Sequence, residues 1–249
     1  MSKNRWNWTA AACAMTAVFS ATLPAAAQKL EDQVVIATTG GLMGNTLAKY
    51  FYEPFNKAKK VEVVPVAIEV PDQWARAKAM QRTGKIEFDI VTATGPDLVG
   101  RADMLEKIDC AKLPNVQKFG VSDACQPYGV ARTTGALAVV KEGVPAALSW
   151  DQAIRDTGYM AILKGAPDVN AAMAYLDFFY ASSEAHVPFM RAVNYATASK
   201  SAIELMKPEE RNLYATSPEN YEKLVKPDFA WIGEHRNELR ERWMAWLTR

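Results

Sequence analysis

Several loops of this 249-residue chain carry side chains that can hold a charged organic molecule. The carboxylates of Asp97, Asp151 and Asp156 can pair with a cationic amine, and the rings of Trp150 and Tyr195 can stack on it. Each acid taken alone is also typical of a helix cap or a turn. A cation-binding loop cluster and ordinary turn chemistry are therefore both open for these positions.

A glycine-rich loop at residues 38–44 offers backbone donors instead of side chains. Gly40 and Gly41, preceded by Thr39, let N–H groups approach a ligand closely at the start of the following helix, which favours anions. No Gly-Lys-Ser/Thr follows, so the loop is not a nucleotide phosphate loop. A tight turn without a ligand is the alternative. Thr94, at the start of a Thr-Gly-Pro-Asp loop, is the remaining polar candidate.

Composition narrows the class of protein. The chain has 29 basic and 28 acidic residues and a formal charge of +1, which gives no reason to expect nucleic acid or an anionic membrane as a partner. His186 and His235 lie far apart and outside any His-Glu-x-x-His pattern, and no Gly-x-Ser-x-Gly occurs. We therefore expect no metal, no cofactor and no enzymatic activity.

The first 27 residues have the pattern of a secretory signal peptide. Lys3 and Arg5 precede an apolar stretch at residues 9–23, which is followed by three alanines at 25–27. That stretch is shorter than the roughly 20 residues that a membrane-spanning helix needs. We expect residues 1–27 to be removed on export and the protein to be periplasmic, with a retained anchor as the alternative.

Two cysteines, Cys110 and Cys125, lie outside the signal segment. In an oxidising compartment such a pair predicts a disulfide. It would close a loop of about 15 residues and add on the order of 3 kcal/mol to stability. Two free buried thiols are the alternative.

From residue 33 the chain alternates strands with helices. The runs 34–37, 61–68 and 88–93 have the apolar character of buried strands, and helices are predicted at 45–58 and 73–82. This βαβαβ order predicts an α/β fold with a parallel, twisted sheet flanked by helices.

The C-terminal part of the chain is predicted to be mostly helical after one more strand at residues 159–163. The last helix, residues 234–247, has an apolar stripe that we expect to pack against the body of the protein. The stripe consists of Leu239, Trp243, Trp246 and Leu247.

The order and spacing of these segments resemble the spermidine/putrescine-type family of periplasmic substrate-binding proteins of ABC importers. The matching pieces are Thr-Thr-Gly-Gly at 38–41, Phe-Asp-Ile-Val at 88–91, Thr-Gly-Pro-Asp at 94–97, Thr-Gly-Ala-Leu-Ala-Val-Val at 134–140, Ser-Trp-Asp-Gln at 149–152, Lys-Gly-Ala-Pro at 164–167, Tyr195 and the Trp-rich last helix. Their order, more than any single motif, carries the resemblance.

The resemblance implies a fold of two α/β lobes that hold a small-molecule solute in the cleft between them. Residues 28–183 would form lobe one, and residues 184–249 would be the C-terminal helices of a reduced second lobe. The core of that lobe, about a hundred residues, is missing at Val140-Lys141 when the chain is compared with the family. The expected partners are ABC permease subunits, and the expected state is a monomer.

The resemblance also implies a set of ligand contacts, in which Tyr195 matches the family's ligand-contacting tyrosine. The predicted ligand-binding residues are Thr39, Gly40, Gly41, Thr94, Asp97, Trp150, Asp151 and Tyr195.

The chain departs from polyamine binders of this type in its first and third loops. Those proteins place aromatic rings there, whereas this chain has Thr39, Leu42, Pro96 and Asp97. A small amine, an amino-acid derivative or an anion therefore competes with a polyamine as the solute, as do iron, sulfate and thiamine-like ligands. A secreted remnant that binds no solute and serves as an interaction module is the alternative from another class.

Overall fold

The computed structural model of the chain describes residues 29–136 and 149–248. The predicted signal peptide at 1–27 and the predicted junction at Val140-Lys141 lie outside these residues. Within the described ranges, the fold is α/β with helices on a single curled sheet, as the sequence predicts.

The described strands form one seven-stranded sheet in the order β2-β1-β3-β6-β5-β4, and β7 pairs with β5. The strands are β1 (Gln33–Thr38), β2 (Glu62–Ala67), β3 (Ile90–Thr94), β4 (Cys125–Gln126), β5 (Gly129–Ala136), β6 (Thr157–Ile162) and β7 (Tyr195–Thr197).

Only part of the sheet is parallel. β1 pairs in parallel with β2 and β3, whereas β6, β5, β4 and β7 join antiparallel to their neighbours. The expectation of a parallel sheet therefore holds for β1 to β3, which are linked by helical crossovers. Outside such βαβ units nothing forces parallel pairing, so the later strands are free to run antiparallel.

The helices of the described residues cover the sheet and fill the C-terminal third of the chain. They are α1 (Gly41–Leu47), α2 (Glu53–Lys59), α3 (Val70–Thr83), α4 (Gly95–Gly100), α5 (Pro114–Phe119), α6 (Val169–Phe179), α7 (Ser183–Val193), α8 (Lys200–Glu204), α9 (Pro208–Arg211), α10 (Pro218–Tyr221), α11 (Phe229–Glu234) and α12 (Arg236–Leu247). A π-helical turn, Ala48–Tyr52, joins α1 to α2 without a break. The predicted helix at 45–58 is this continuous unit.

Aromatic packing ties the N-terminal helices to those near residue 180. The ring of Phe51 lies 4.3 Å from that of Phe179, centroid to centroid, and 5.4 Å from that of Phe189 in α7. The buried ring of His186 fits between them, 4.9 Å from Phe51. Residues beyond 183 thus share one core with the N-terminal sheet. The division into lobes at 183/184 stays a prediction.

The predicted disulfide is present. Cys110 and Cys125 are bonded, with their Cα atoms 6.0 Å apart at a sequence separation of 15. The bond fastens the irregular segment that follows β3 to the short edge strand β4.

The last helix does not pack as predicted. The side chains of Trp243 and Trp246 are 57% and 59% exposed, and α12 buries no residue. The helix touches the body near its first turn, where Arg236 reaches Asp97. Charged residues occupy five of its twelve positions, and the apolar stripe is too narrow to hold the helix against the protein along its length.

No helix among the described residues has both the length and the apolar character that crossing a membrane demands.

Candidate functional site

The loops singled out in the sequence meet at one edge of the sheet. In the parallel pair β1/β3, Ile36 lies opposite Ile90, so both strands end at the same edge. The antiparallel register places the start of β6 beside the end of β3, with Gly158 opposite Thr94. It also places Tyr195, at the start of β7, opposite Ala136 at the end of β5. The loops after β1 and β3, the segment before β6 and Tyr195 therefore share this edge, which we call the loop edge.

The glycine loop after β1 has the backbone that its composition predicts. Gly41 adopts φ +62°, a left-handed conformation that favours glycine, and it is exposed. A Cβ on Gly44 would come within 3.1 Å of the carbonyl oxygen of Thr39. Thr39 and Gly40 are half-buried at the loop edge. These contacts account for a tight turn, and they leave the loop accessible from solvent.

The Thr94–Asp97 loop is engaged internally. Asp97 Oδ2 accepts hydrogen bonds from the Thr94 backbone N–H at 3.0 Å and from the Thr94 hydroxyl at 2.7 Å. Together they form a capping box at the start of α4. Asp97 Oδ1 accepts from Arg101 Nε and from Arg236 Nη2, each at 3.1 Å. Both carboxylate oxygens of Asp97, which is 4% exposed, therefore have protein donors.

These partners set the charge of Asp97. Burial alone would raise the pKa of its carboxyl, but the Thr94 hydrogen bonds, the Arg101 hydrogen bond and the positive charge of Arg236 outweigh burial and lower the pKa. Asp97 is thus a buried, ionised carboxylate, which fits the structural role that the sequence left open.

The segment before β6 faces a different neighbour. Trp150 is half-buried and donates from Nε1 to the carbonyl oxygen of Asn212 at 3.3 Å, whereas Asp151 and Asp156 are exposed. Arg155 pairs with Asp123 at 2.8 Å and anchors this stretch near β4. Trp150 and Asp151 thus lie at the loop edge on the side of the C-terminal segments.

Tyr195 is the most accessible aromatic ring among the predicted site residues. It is 39% exposed and follows Asn194, which has a left-handed backbone with φ +55°. Its strand β7 is paired to β5, so the ring is carried on a fixed backbone and not on a free loop. That placement suits a side chain that stacks on a small molecule.

A residue that the sequence analysis missed lies beneath these loops. Arg132, in β5, is 6% exposed, and its Nη1 lies 3.5 Å from the hydroxyl of Thr38 at the end of β1. In a flat sheet these two strands would lie about 14 Å apart, three strand spacings. The long arginine side chain therefore links β5 to the end of β1 across the intervening strands β6 and β3. A lone arginine in the run Gly-Val-Ala-Arg was the one signal in the sequence.

Phenol groups surround that arginine. Burial raises the pKa of Tyr52 to about 12, although the charge of Arg132 and a hydrogen bond with Thr38 act to lower it. Burial also raises the pKa of Tyr175 well above its usual value. Both phenols are neutral near pH 7. The centre of the loop edge thus combines one cation with neutral hydroxyl groups.

Among residues 29–136 and 149–248, no group of three or more His, Cys, Asp or Glu side chains has an arrangement that could hold a metal ion. His186 is buried in the aromatic core, and His235 stacks on Trp231 at 4.3 Å.

Comparison with known proteins gives the fold a precedent. AttC of Agrobacterium tumefaciens, a periplasmic binding protein solved in an open unliganded conformation, superimposes with a TM-score of 0.71 at 19% identity, covering 87% of this chain and 100% of that one. The fold is that of a periplasmic binding protein. A second solved structure, a GABA receptor, superimposes with a TM-score of 0.70 at 16% identity, covering 86% of this chain and 97% of that one. An ABC-transporter substrate-binding protein of Bradyrhizobium japonicum superimposes with a TM-score of 0.69 at 17% identity, covering 88% of this chain and 100% of that one.

At the level of sequence, a relative is the gamma-aminobutyric acid-binding protein of Pseudomonas aeruginosa, 30% identical over 113 residues. The match covers 45% of this chain and 32% of the relative, so it spans about a third of that protein's length. No family model matches the chain. These similar proteins are described as binding proteins and not as enzymes.

Proposed function

We propose that this chain is the periplasmic solute-binding component of an ABC importer for small polar solutes. The observation that carries the proposal is the convergence of the predicted ligand loops at one sheet edge of a periplasmic-binding-protein fold. In open α/β sheets, ligands bind outside the carboxyl ends of the strands. Accessible parts of that edge include the Thr39–Gly41 turn, the carboxylate of Asp151 and the ring of Tyr195.

For the solute, we favour an amino-acid-like molecule that carries both an amine and a carboxylate. A sequence relative and a solved structural neighbour are both named for gamma-aminobutyrate. A polyamine, the solute class of the family that the sequence resembles, is the second candidate. Exposed Asp151 beside half-buried Trp150 supports it, whereas Asp97 has its carboxylate fully engaged. Iron and thiamine-like solutes have no observation in their favour among the described residues, and sulfate has only the buried positive charge of Arg132.

The mechanism that follows from this proposal is capture and delivery. The solute would bind at the loop edge, the protein would close over it, and the closed form would dock on membrane permease subunits. Export through residues 1–27 places the protein where that cycle occurs. If the core of the second lobe is missing, fewer residues contact the solute, and the affinity for the solute is lower.

A panel of solutes tests the proposal. The chain is expressed at full length in a Gram-negative host, recovered from the periplasmic fraction and melted with gamma-aminobutyrate, putrescine, spermidine, sulfate, thiamine or Fe³⁺. A solute at 100 times its Kd should stabilise the folded state by about 2.7 kcal/mol and raise the melting temperature in a dose-dependent way. A cooperative melt that no solute shifts at millimolar concentration would contradict the proposal.

The exposed face of α12 favours a second candidate function, an interaction module that binds no solute. Trp243, Met244, Trp246 and Leu247 are each more than half exposed. Light scattering across a concentration series separates the two candidates. A solute binder should remain a monomer, whereas self-association without any solute response supports the interaction module.

A further inference from the structure

Arg132 is a buried cation without a counterion in the part of the chain that the structure describes. Its side chain is among the buried charged groups, and its Nε has no hydrogen-bond acceptor. The contact from Nη1 to the hydroxyl of Thr38, at 3.5 Å, is long for a hydrogen bond. A guanidinium has five N–H donors. Burying a charged guanidinium away from water without partners costs several kcal/mol.

The neighbouring side chains do not neutralise this charge. The ionisable groups near enough to act on Arg132 within the described ranges are Tyr52, Tyr175 and Tyr195. Burial raises the pKa of Tyr52 to about 12 and raises that of Tyr175 well above its usual value, so both are protonated near pH 7. Burial in turn lowers the pKa of Arg132. The cluster therefore holds a net positive charge in the absence of an external anion.

The backbone is also irregular at this residue. Along the β5/β6 pair, Ala131 lies opposite Tyr159 and Thr133 lies opposite Gly158, which leaves Arg132 as an extra residue on β5. Such a β-bulge re-aims one side chain and is frequent next to functional sites. Here the bulge falls on the one charged residue of the strand, and the guanidinium reaches the end of β1, where the accessible Thr39–Gly41 turn begins.

We propose that Arg132 binds the carboxylate of the solute. This inference rests on the proposed function and names the chemical class that the same site takes. A planar guanidinium pairs with a carboxylate through two parallel N–H···O bonds, which would occupy the free Nε. The solute enters at the loop edge, where the Thr39–Gly41 turn and the ring of Tyr195 are accessible. A polyamine, which is cationic throughout, is repelled from this position.

A pair of solutes that differ at one end tests the inference. Gamma-aminobutyrate and putrescine share an amine on a short alkyl chain, but one ends in a carboxylate and the other in a second amine. Isothermal titration of the purified full-length chain should show binding of gamma-aminobutyrate and none of putrescine. Sulfate and phosphate, titrated alone, show whether the site takes any anion. Tight binding of either inorganic ion in place of the amino acid would overturn the carboxylate assignment.

Variants of Arg132 complete the test. Arg132→Met should weaken gamma-aminobutyrate binding by at least about thirtyfold, since one partner of a buried charge pair is removed. Arg132→Lys keeps the charge but loses the planar guanidinium that can bond both carboxylate oxygens, and it should weaken binding by about tenfold or more. The matched control is Arg82→Met, at an exposed position in the last turn of α3, which should bind like the parent chain.

The outcomes separate a wrong inference from a wrong function. If the chain binds putrescine, or if Arg132→Met binds gamma-aminobutyrate as tightly as the parent, the inference fails while solute binding stands. If the folded parent binds none of these solutes, the proposed function fails and the inference fails with it. A melting temperature of ligand-free Arg132→Met well below the parent's would show that Arg132 supports the fold, whereas our proposal expects no decrease.

Discussion

Arg236, the first residue of the last helix, donates to the carboxylate of Asp97 at 3.1 Å across 139 residues of sequence. The other donors to that carboxylate, Thr94 and Arg101, come from its own loop and helix. Asp97 thus joins the turn after β3 to the C-terminal helix. Asp97, which the sequence suggested as a residue that binds an amine, therefore has a structural role.

Asp97→Asn should therefore act on stability. The substitution keeps the shape of the side chain but removes the charge that two arginines share, so we expect a loss of about 2 kcal/mol in the free energy of unfolding. Urea denaturation measures it. Asp103→Asn, at an exposed carboxylate nearby, is the matched control and should leave stability within about 0.5 kcal/mol of the parent. An unchanged stability together with a large loss of solute affinity would restore Asp97 as a ligand.

The first half of the fold was predictable because local patterns determine it. Apolar runs and helical spacing placed β1, α3 and β3 within a few residues of where they lie. The antiparallel half depends on long-range pairing, for which the sequence has no local signal. The prediction that α12 packs against the body was wrong for a related reason. An apolar stripe indicates which face of a helix can pack, but not whether another surface lies opposite that face.

The disulfide should account for a measurable share of the stability. Cys110 and Cys125 close a loop of 15 residues, and opening it should cost about 3 kcal/mol through the greater freedom of the unfolded chain. Denaturation with and without a reductant measures the difference. The Cys110→Ser, Cys125→Ser double variant should match the reduced parent and should not respond to reductant. Equal midpoints for the oxidised and reduced parent would contradict this role.

The exposed tryptophans should contribute little to folding. Since Trp243 and Trp246 are each more than half exposed, replacing both with Ser should change the free energy of unfolding by less than about 1 kcal/mol. A Phe51→Ala variant, in the aromatic core, is the contrast and should lose about 3–5 kcal/mol. A loss above about 2 kcal/mol in the double Trp variant would mean that α12 does pack on the protein.

Two buried groups should give opposite responses to acid. Burial lowers the pKa of His186 to about 4, so between pH 6.5 and 4 the unfolded chain binds a proton that the folded chain refuses. Its stabilising contribution is complete above pH 6.5 and is lost as the pH falls to 4. Burial raises the pKa of Asp89 to about 6, so the folded chain keeps a proton that the unfolded chain releases above pH 3.8. Its contribution is complete below pH 3.8 and is lost as the pH rises through 6.

Each effect is worth about 3 kcal/mol over that window, so in the parent chain they nearly cancel. His186→Gln, which can still donate to the carbonyl oxygen of Phe179, should gain stability on going from pH 6.5 to 4. Asp89→Asn should lose stability over the same range. Urea denaturation at five or six pH values gives, for each variant, the slope of the free energy of unfolding against pH. These slopes are compared, and not the absolute stabilities. Parallel slopes for the two variants would contradict both assignments.

The candidate site was predictable only in outline. Strand ends identified the loops correctly as neighbours, because parallel strands deliver their carboxyl ends to one edge. Arg132 could not be selected, since its burial depends on long-range strand pairing and its direction depends on a bulge in β5. Neither feature leaves a pattern in the residues around it.

Nuclear magnetic resonance can observe the Arg132 side chain itself during solute binding. In a ¹⁵N-labelled chain, the Nε–H resonance of Arg132 is assigned by its absence from Arg132→Lys. Gamma-aminobutyrate is then titrated in. We expect this resonance to move saturably, with the Kd found by calorimetry, because a carboxylate occupies the free donor. Solute binding that leaves the resonance in place, or no binding at all by the folded chain, would contradict the assignment of Arg132 as the carboxylate-binding residue.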